Sequence, residues 1–248
     1  MKLNEILTLL IKLAKENNLS TPFLCGGAVR DKVIGRLDRL KDLDITTGDE
    51  GSHYLAEEFA IHLKLPHKIM ADGHIQVMIG NFKVDFSSNF KAPNIESLLQ
   101  NAGLENPTEI QKEQYSRDFT CNTLLLTTDL KTIKDPIGLG LKDIKSKKLR
   151  TCLPASLTLG YDNKRVVRVL YLAAKLGFNI DDEIIEWIKE NPQSIATPKA
   201  RYVSQKLKEA FNYDKEKTLK LLDSLDLWKH LPPSELLMPY MSGNVRRI

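Results

Sequence analysis

Two carboxylates separated by one residue are the first chemical signal in this sequence. Asp42 and Asp44 lie in a short apolar stretch with Leu43 and Ile45 as neighbours. On a β-strand, side chains at i and i+2 point to the same face, so the two carboxylates would repel each other unless a cation lay between them. Mg²⁺ is usually bound by one or two carboxylates together with substrate phosphates. The pair therefore predicts a magnesium site, although an isolated Asp-x-Asp is also typical of a solvated strand end or a cap.

A glycine pair upstream adds a phosphate-binding feature. Gly26 and Gly27 open a predicted helix that carries Arg30 and Asp31. Glycines allow backbone N–H groups to approach a phosphate, and a helix N-terminus favours negative charge. Taken alone, a Gly-Gly before a helix is more often a tight turn, because glycine serves wherever φ is positive. The glycine pair followed by the Asp-x-Asp predicts a phosphate-handling, metal-dependent transferase.

Four motifs in sequence resemble the class II tRNA nucleotidyltransferase (CCA-adding enzyme) and poly(A) polymerase family. The segment GGAVRD, followed by the Asp-x-Asp, is similar to the head of that family. Residues 116–122, SRDFTCN, resemble its Arg-Arg-Asp-Phe-Thr-x-Asn segment, and KDPIGLGLKD from residue 134 resembles its linker. Residues 162–178, DNKRVVRVLYLAAKLGF, are similar to its neck helix, with an Asp-x-x-Arg element and a closing Leu-Gly-Phe.

This resemblance implies a set of site residues. Asp42 and Asp44 are expected to bind Mg²⁺, with two ions in the site. Asp85, on a neighbouring predicted strand, either completes the catalytic carboxylates or is a polar residue on an exposed strand face. Arg30 either contacts phosphate or pairs with a carboxylate. The expected nucleotide-binding residues are Gly26, Gly27, Arg30, Asp31, Arg117, Asp118, Asn122, Asp162, Arg165 and Arg168.

Asp162 and Arg165 have two interpretations. At i and i+3 on a helix they would be neighbours and form a surface ion pair worth a few tenths of a kcal/mol. By the resemblance, the carboxylate accepts from an exocyclic amine of the base and the guanidinium donates to a ring nitrogen or carbonyl oxygen. Cytosine and adenine share that pattern and uracil and guanine do not, so one pair selects C and A.

Arg117 and Asn122 belong to a different segment. If that segment is a helix, their side chains would nearly share a face.

The function implied by the family is addition of CCA, all or part, to the tRNA 3′ end from CTP and ATP. A poly(A) polymerase or A-adding enzyme is the alternative, and a non-catalytic RNA-binding relative is a third. Ser116 and Tyr161 replace residues that the family usually has, an arginine and a glutamate. The chain is shorter than typical members, so the part that grips tRNA is expected to be reduced.

Charge is distributed unevenly along the chain. Residues 1–140 carry 16 Lys and Arg against 19 Asp and Glu, whereas residues 141–248 carry 20 against 13, a net charge of +7. This asymmetry fits RNA or nucleotide phosphates as partners, and a solvated face near a domain junction is the other interpretation.

The composition, 42% hydrophobic and 27% charged, is typical of a soluble globular protein.

The cysteines and the apolar runs of the sequence argue against several classes of protein. Cys25, Cys121 and Cys152 are odd in number and form no CxxC pair, which supports neither a zinc site nor a disulfide framework. No apolar run approaches the length of a membrane span, and the N-terminus lacks signal-peptide features. The sequence therefore predicts a cytoplasmic protein without a membrane partner, either a monomer or a homodimer.

The pattern of elements predicts an α+β fold. We expect a nucleotidyltransferase head with a small mixed β-sheet and helices (residues 1–150), an all-helical neck and short body (151–230) and a loose tail (231–248). The predicted strands are 22–25, 43–45, 68–70, 74–79 and 82–86. Residues 89–115 are polar and contain Pro93, Gly103 and Pro107, which predicts a mobile loop.

Overall fold

The structure, a computed structural model, describes residues 1–36, 42–233 and 237. The chain divides into two units, residues 1–144 and 145–248. The functional division into head, neck, body and tail stays a prediction. Apart from Leu237, the last fifteen residues of the predicted tail lie outside the described residues. Within the described ranges, no helix combines the length and apolarity needed to cross a bilayer.

A mixed sheet forms the framework of the first unit. Its strands are β1 (Phe23–Cys25), β2 (Asp42–Thr46), β3 (His67–Ile69), β4 (Ile75–Ile79), β5 (Phe82–Phe86), β6 (Leu125–Thr127) and β7 (Ile133–Lys134). In the described part of the chain the sheet has seven strands, in the order β3-β4-β5-β2-β1-β6-β7. Strands β2 and β5 are parallel neighbours, and every other neighbouring pair is antiparallel. The five strands expected from sequence are present, and β6 and β7 extend the sheet.

The helices of the first unit pack apolar faces onto this framework. They are α1 (Leu3–Glu16), α2 (Gly27–Val33), α3 (Gly51–Leu63), α4 (Ile95–Asn101), α5 (Glu109–Tyr115) and α6 (Gly140–Lys145), with a 3₁₀ turn at Thr120–Asn122. Helix α1 buries Ile6, Leu10 and Leu13 at helical spacing. The rings of Phe59 on α3 and Phe86 on β5 lie 5.6 Å apart, and both are fully buried. This core fixes β2 and β5 from one side.

The prediction of a mobile loop over residues 89–115 was wrong, because α4 and α5 lie within it. Pro93 and Pro107 precede these helices rather than interrupting them. Thr108 caps α5: its hydroxyl accepts from the Gln111 backbone N–H at 3.3 Å, and the Gln111 side chain accepts from the Thr108 N–H at 2.9 Å. This Thr-x-x-Gln capping box is a helix-start signal readable from sequence.

The second unit is mainly helical. Its helices are α7 (Ala155–Tyr161), α8 (Lys164–Leu176), α9 (Asp182–Glu190), α10 (Ala200–Tyr213) and α11 (Lys215–Ser224), with 3₁₀ turns at Pro192–Ala196 and Trp228–His230. Helix α8 ends at Gly177, whose φ of +71° suits glycine. Two short strands, β8 (Lys148–Leu149) and β9 (Asn179–Ile180), pair in parallel. The expected α+β class is confirmed, and the helical part also contains this two-stranded element.

Candidate active site

The carboxylates predicted from sequence lie on the two parallel strands at the centre of the sheet. Asp44 of β2 is in register with Asp85 of β5, and Asp42 is in register with Lys83. Because Asp42 and Asp44 are two residues apart on one strand, they share a face of the sheet. Asp42 is 73% exposed and Asp85 is 15% exposed. The register therefore brings all three predicted carboxylates to one region.

Both oxygens of Asp85 have protein partners. The Gln76 amide of the adjacent β4 donates to Oδ1 at 2.9 Å, and the Lys83 ammonium lies 2.9 Å from Oδ2. The same ammonium lies 3.4 Å from Oδ1 of Asp42. The structure thus places Asp85 beside Asp44 and pairs it with a lysine. Its role as a third catalytic carboxylate stays a prediction.

The glycine turn closes tightly over Asp44. Gly26 has φ of +72° and ψ of −148°, a conformation open to glycine and costly for other residues. A Cβ at Gly26 would lie 2.6 Å from Oδ2 of Asp44, well inside van der Waals contact. Cys25, which precedes the turn, pairs with Asp44 across β1 and β2. Glycine at position 26 is therefore required both by the backbone and by the carboxylate beside it.

The charge on Asp44 is set by burial and by four neighbours. Burial raises the pKa of Asp44, and Asp85 and Asp42 raise it further, whereas the positive charges of Arg117 and Lys83 lower it; the net change is upward. A buried carboxylate that is costly to ionise gains from a nearby cation. The site therefore has a deficit of positive charge at Asp44.

Arg117, in the SRDF segment that begins at Ser116, is one of the two cations that act on Asp44. Its Nη2 donates to Cys25 Sγ at 3.1 Å and to Glu113 Oε1 at 3.0 Å. Burial raises the pKa of the Cys25 thiol to about 12, so this neighbour is neutral at physiological pH. Within the described residues, the buried Nε of Arg117 has no hydrogen-bond acceptor. Arg117 is thus held at the site with capacity to donate to one further acceptor.

Glu113 was not predicted from sequence, although it holds the site together. It is 2% exposed and its carboxylate accepts from four side chains. Thr46 of β2 and Ser87 after β5 each donate at 2.6 Å, Arg117 donates at 3.0 Å and Gln114 at 3.3 Å. Recognition of the capping box at Thr108 would have placed Glu113 on the helix that begins there. Removing one partner of a buried ion pair typically costs about 3–5 kcal/mol.

Arg30, Asp31, Asp118 and Asn122 form a second network. The Arg30 guanidinium is 3% exposed; it donates to Asp31 Oδ1 through Nε at 2.8 Å and Nη2 at 2.7 Å. Its Nη1 donates to Asn122 Oδ1 at 2.6 Å, and the Asn122 amide donates to Asp118 Oδ1 at 3.0 Å. Arg30 therefore pairs with a carboxylate in this structure, one of its two expected roles.

The expectation that Arg117 and Asn122 nearly share a helical face was wrong. Helix α5 ends at Tyr115, the chain bends, and a separate 3₁₀ turn carries Asn122. The two side chains consequently join different networks. Ser116, at the bend, is buried; its hydroxyl donates to the Lys112 carbonyl at 2.7 Å and accepts from the Ala92 N–H at 2.8 Å. The serine thus anchors the end of α5 through both hydrogen bonds.

In the second unit, Asp162 lies just before α8 rather than on it. Its backbone is extended, and Oδ1 accepts from the Lys164 N–H at 3.0 Å. Arg165 lies in the first turn of α8 and its Nη1 donates to the Thr158 carbonyl at 3.3 Å. The prediction that both residues lie on one helix is therefore wrong, although both lie at the same junction. Arg168 is half-buried one turn further along α8.

The donor set of the first unit fits Mg²⁺. Across the described ranges, no group of three or more His, Cys, Asp or Glu side chains forms a complete metal site. Asp42 and Asp44 provide two carboxylates on one face, and magnesium usually takes its remaining ligands from water and substrate phosphates. Burial is the main cause of the raised pKa of Asp44, and a carboxylate that is costly to ionise gains from a nearby cation. Two protein ligands of this type are the pattern expected for a nucleotide-bound magnesium ion.

Comparison with known families identifies the class of the chain. The model of the poly A polymerase head domain matches residues 22–150, which includes the glycine turn, β2, β5 and the Glu113–Arg117 pair. The chain belongs to this family.

Individual relatives agree with that assignment. A tRNA nucleotidyltransferase of Schizosaccharomyces pombe is 43% identical over 77 residues, 31% of this chain and 15% of that protein. Poly(A) polymerase I of Escherichia coli is 28% identical over 224 residues, 86% of this chain and 46% of that protein. The crystal structure of the Bacillus stearothermophilus CCA-adding enzyme with CTP has the same fold, with a TM-score of 0.71 and 22% identity over 94% of this chain and 55% of that one. The chain spans about half the length or less of these relatives.

The charge on Asp44 generates a prediction about stability. Its pKa is raised in the folded chain, so the folded state holds its proton more tightly than the unfolded state. The destabilisation that comes with ionising Asp44 is absent below its unfolded pKa, grows as the pH rises above that value, and is complete above the folded pKa. We therefore expect Asp44→Asn to increase the free energy of unfolding at pH 7 in EDTA, measured by urea denaturation, and the increase to disappear toward pH 3.

Asp42→Asn is the matched control, because Asp42 is exposed. We expect it to change the free energy of unfolding by less than about 0.5 kcal/mol at either pH. Loss of stability in Asp44→Asn at neutral pH would contradict the electrostatic description of the site.

Proposed function

We propose that this chain is a template-independent RNA nucleotidyltransferase that adds CCA, all or part, to tRNA 3′ ends in the cytoplasm. One observation carries the proposal: Asp42 and Asp44 of β2 lie beside Asp85 of β5, under a glycine turn that leaves no room for a side chain at position 26. A paired-carboxylate site beside an open backbone suits a nucleoside triphosphate. Membership of the poly A polymerase head domain family supports this class of reaction.

In the proposed reaction, the RNA 3′-hydroxyl attacks the α-phosphorus of CTP or ATP. A new P–O bond forms, the bond to pyrophosphate breaks, and the proton of the hydroxyl passes to water. Mg²⁺, when bound, lowers the pKa of the attacking hydroxyl and neutralises triphosphate charge. Asp42 and Asp44 bind and orient this ion. Arg117, held by Glu113, provides a fixed positive charge beside Asp44, and its buried Nε supports a contact with an anionic ligand.

Base selection is assigned to Asp162 and Arg165. A carboxylate accepts from the exocyclic amine of cytosine or adenine, and a guanidinium donates to the adjacent ring nitrogen. The position of both residues at the α7–α8 junction, each restrained by a backbone contact, supports this role. Uracil and guanine present the opposite hydrogen-bond polarity, so the same pair disfavours them.

Addition of A residues alone is the second candidate function. The Escherichia coli relative that aligns over 86% of this chain is a poly(A) polymerase, and the catalytic carboxylates serve either reaction equally. Choice between the two depends on the substrates accepted. A non-catalytic RNA-binding protein is the remaining alternative, although both aspartates of the Asp-x-Asp are retained.

The substrates distinguish these functions directly. We expect the purified protein with Mg²⁺ to extend tRNA that ends before CCA by C, C and A, to extend tRNA ending in CC by A, and to leave tRNA ending in CCA unchanged. Each nucleotide is supplied singly and in mixture, and products are resolved on a sequencing gel. The Asp42→Ala/Asp44→Ala variant is the control for catalysis.

Two other outcomes would contradict the proposed addition of CCA. A single A or an unlimited run of A on every substrate would assign the protein to the A-adding or poly(A) class. Transfer no greater than that of the double variant on all substrates would eliminate the enzymatic function.

The glycine turn provides a steric prediction. Gly26→Ala places a methyl group 2.6 Å from the Asp44 carboxylate and must displace it, and displacement of a reacting group by about 1 Å can cost roughly a hundredfold in rate. We therefore expect kcat/KM for nucleotide addition to fall by about that factor. Gly35→Ala is the control, since Gly35 also has positive φ and a Cβ there meets no atom of the described residues within 4 Å. Equal losses in the two variants would show that backbone strain, and not contact with Asp44, explains the effect.

A further inference from the structure

Lys83 occupies the position between two of the site's carboxylates. Its ammonium lies 2.9 Å from Asp85 Oδ2 and 3.4 Å from Asp42 Oδ1. Register explains the placement, because Lys83 of β5 lies opposite Asp42 of β2 and two residues before Asp85. The side chain therefore projects from the same face as the carboxylates. A cation of the chain itself is thus part of the proposed metal site.

The charges around Asp44 favour an ammonium group at the position of Lys83. The described groups that act on Asp44 include two further carboxylates, Asp85 and Asp42, against two cations, Arg117 and Lys83. Arg117 is engaged by Glu113 and Cys25. Lys83 is different: it is 37% exposed, and its contacts in the structure are to the site's own carboxylates. A flexible ammonium with a route to solvent can be displaced from them.

We propose that Lys83 is a resident counter-ion that competes with the divalent metal for these carboxylates and so sets the metal affinity of the site. The inference rests on the proposed function, since it concerns the same magnesium site. Without metal, Lys83 offsets the repulsion between the strands' carboxylates. When metal binds, the Lys83 ammonium must withdraw, because two cations in one small site repel each other.

Metal binding measured without catalysis tests the proposal. Mn²⁺ alone is titrated calorimetrically into the full chain and into Lys83→Met. We expect Lys83→Met to bind Mn²⁺ with a Kd about tenfold lower, since loss of the competing charge at this distance is worth roughly a factor of ten. The thermal midpoint in EDTA should fall in Lys83→Met, and saturating Mn²⁺ should raise it more than in the wild type.

Three variants make the test specific. Lys83→Arg retains the charge and is expected to keep the Kd within about threefold of wild type, a change of less than about 0.7 kcal/mol. Lys12→Met removes the same charge from α1, where Lys12 pairs with Glu16, and should leave the Kd unchanged. Asp44→Asn defines the site, because Mn²⁺ binding there should be lost.

An unchanged or weaker Kd in Lys83→Met would overturn the role of Lys83 and leave the proposed transferase intact. Equal tightening in Lys12→Met would also overturn it, because net charge alone would then explain the effect. A wild type that binds Mn²⁺ no better than Asp44→Asn would eliminate the metal site itself and, with it, this inference. Nucleotide addition to tRNA is measured separately, so failure of the function and failure of the inference remain distinguishable.

Discussion

The ion pair of buried Glu113 with half-buried Arg117 is the interaction on which the arrangement of the site depends. Glu113 accepts from Thr46 at the end of β2 and from Ser87 after β5, so one carboxylate connects the two strands that carry the aspartates. It also orients Arg117 toward Cys25 and Asp44. An ionised carboxylate is tolerated in the interior only when its oxygens are well hydrogen-bonded, and Glu113 meets this condition with four donors. The helix that carries it is thereby fixed against the sheet.

Charge balance links this interior pair to the chemistry at the surface. The parallel pairing of β2 with β5 concentrates negative charge by placing Asp44 beside Asp85. Burial is the main cause of the raised pKa of Asp44, and the neighbouring carboxylates add to it. Arg117 relieves part of that charge from the interior side and Lys83 from the exposed side. Under the proposed function, a divalent cation that arrives with the triphosphate supplies the further positive charge that these carboxylates favour.

Much of this arrangement could be predicted from the sequence, because local periodicity and motif order determine it. The i, i+2 spacing of Asp42 and Asp44 placed them on one strand face, and the alternating pattern around Asp85 placed it on a second strand. The roles of Glu113 and Lys83 could not be predicted from the sequence. Glu113 contacts Thr46, which lies 67 residues away in the chain, and the position of Lys83 follows from the register of β2 and β5. The position of Asp162 was misjudged because a helix start depends on local backbone geometry that spacing does not specify.

The proposed function depends on the binding of a nucleotide-bound metal by Asp42 and Asp44. The most direct measurement is anomalous diffraction from crystals of the protein grown with Mn²⁺ and CTP. We expect an anomalous peak coordinated by the carboxylates of Asp42 and Asp44 and by the triphosphate, with the Lys83 ammonium withdrawn from Asp42. A bound nucleotide without metal at these aspartates, or a metal bound elsewhere on the chain, would contradict it.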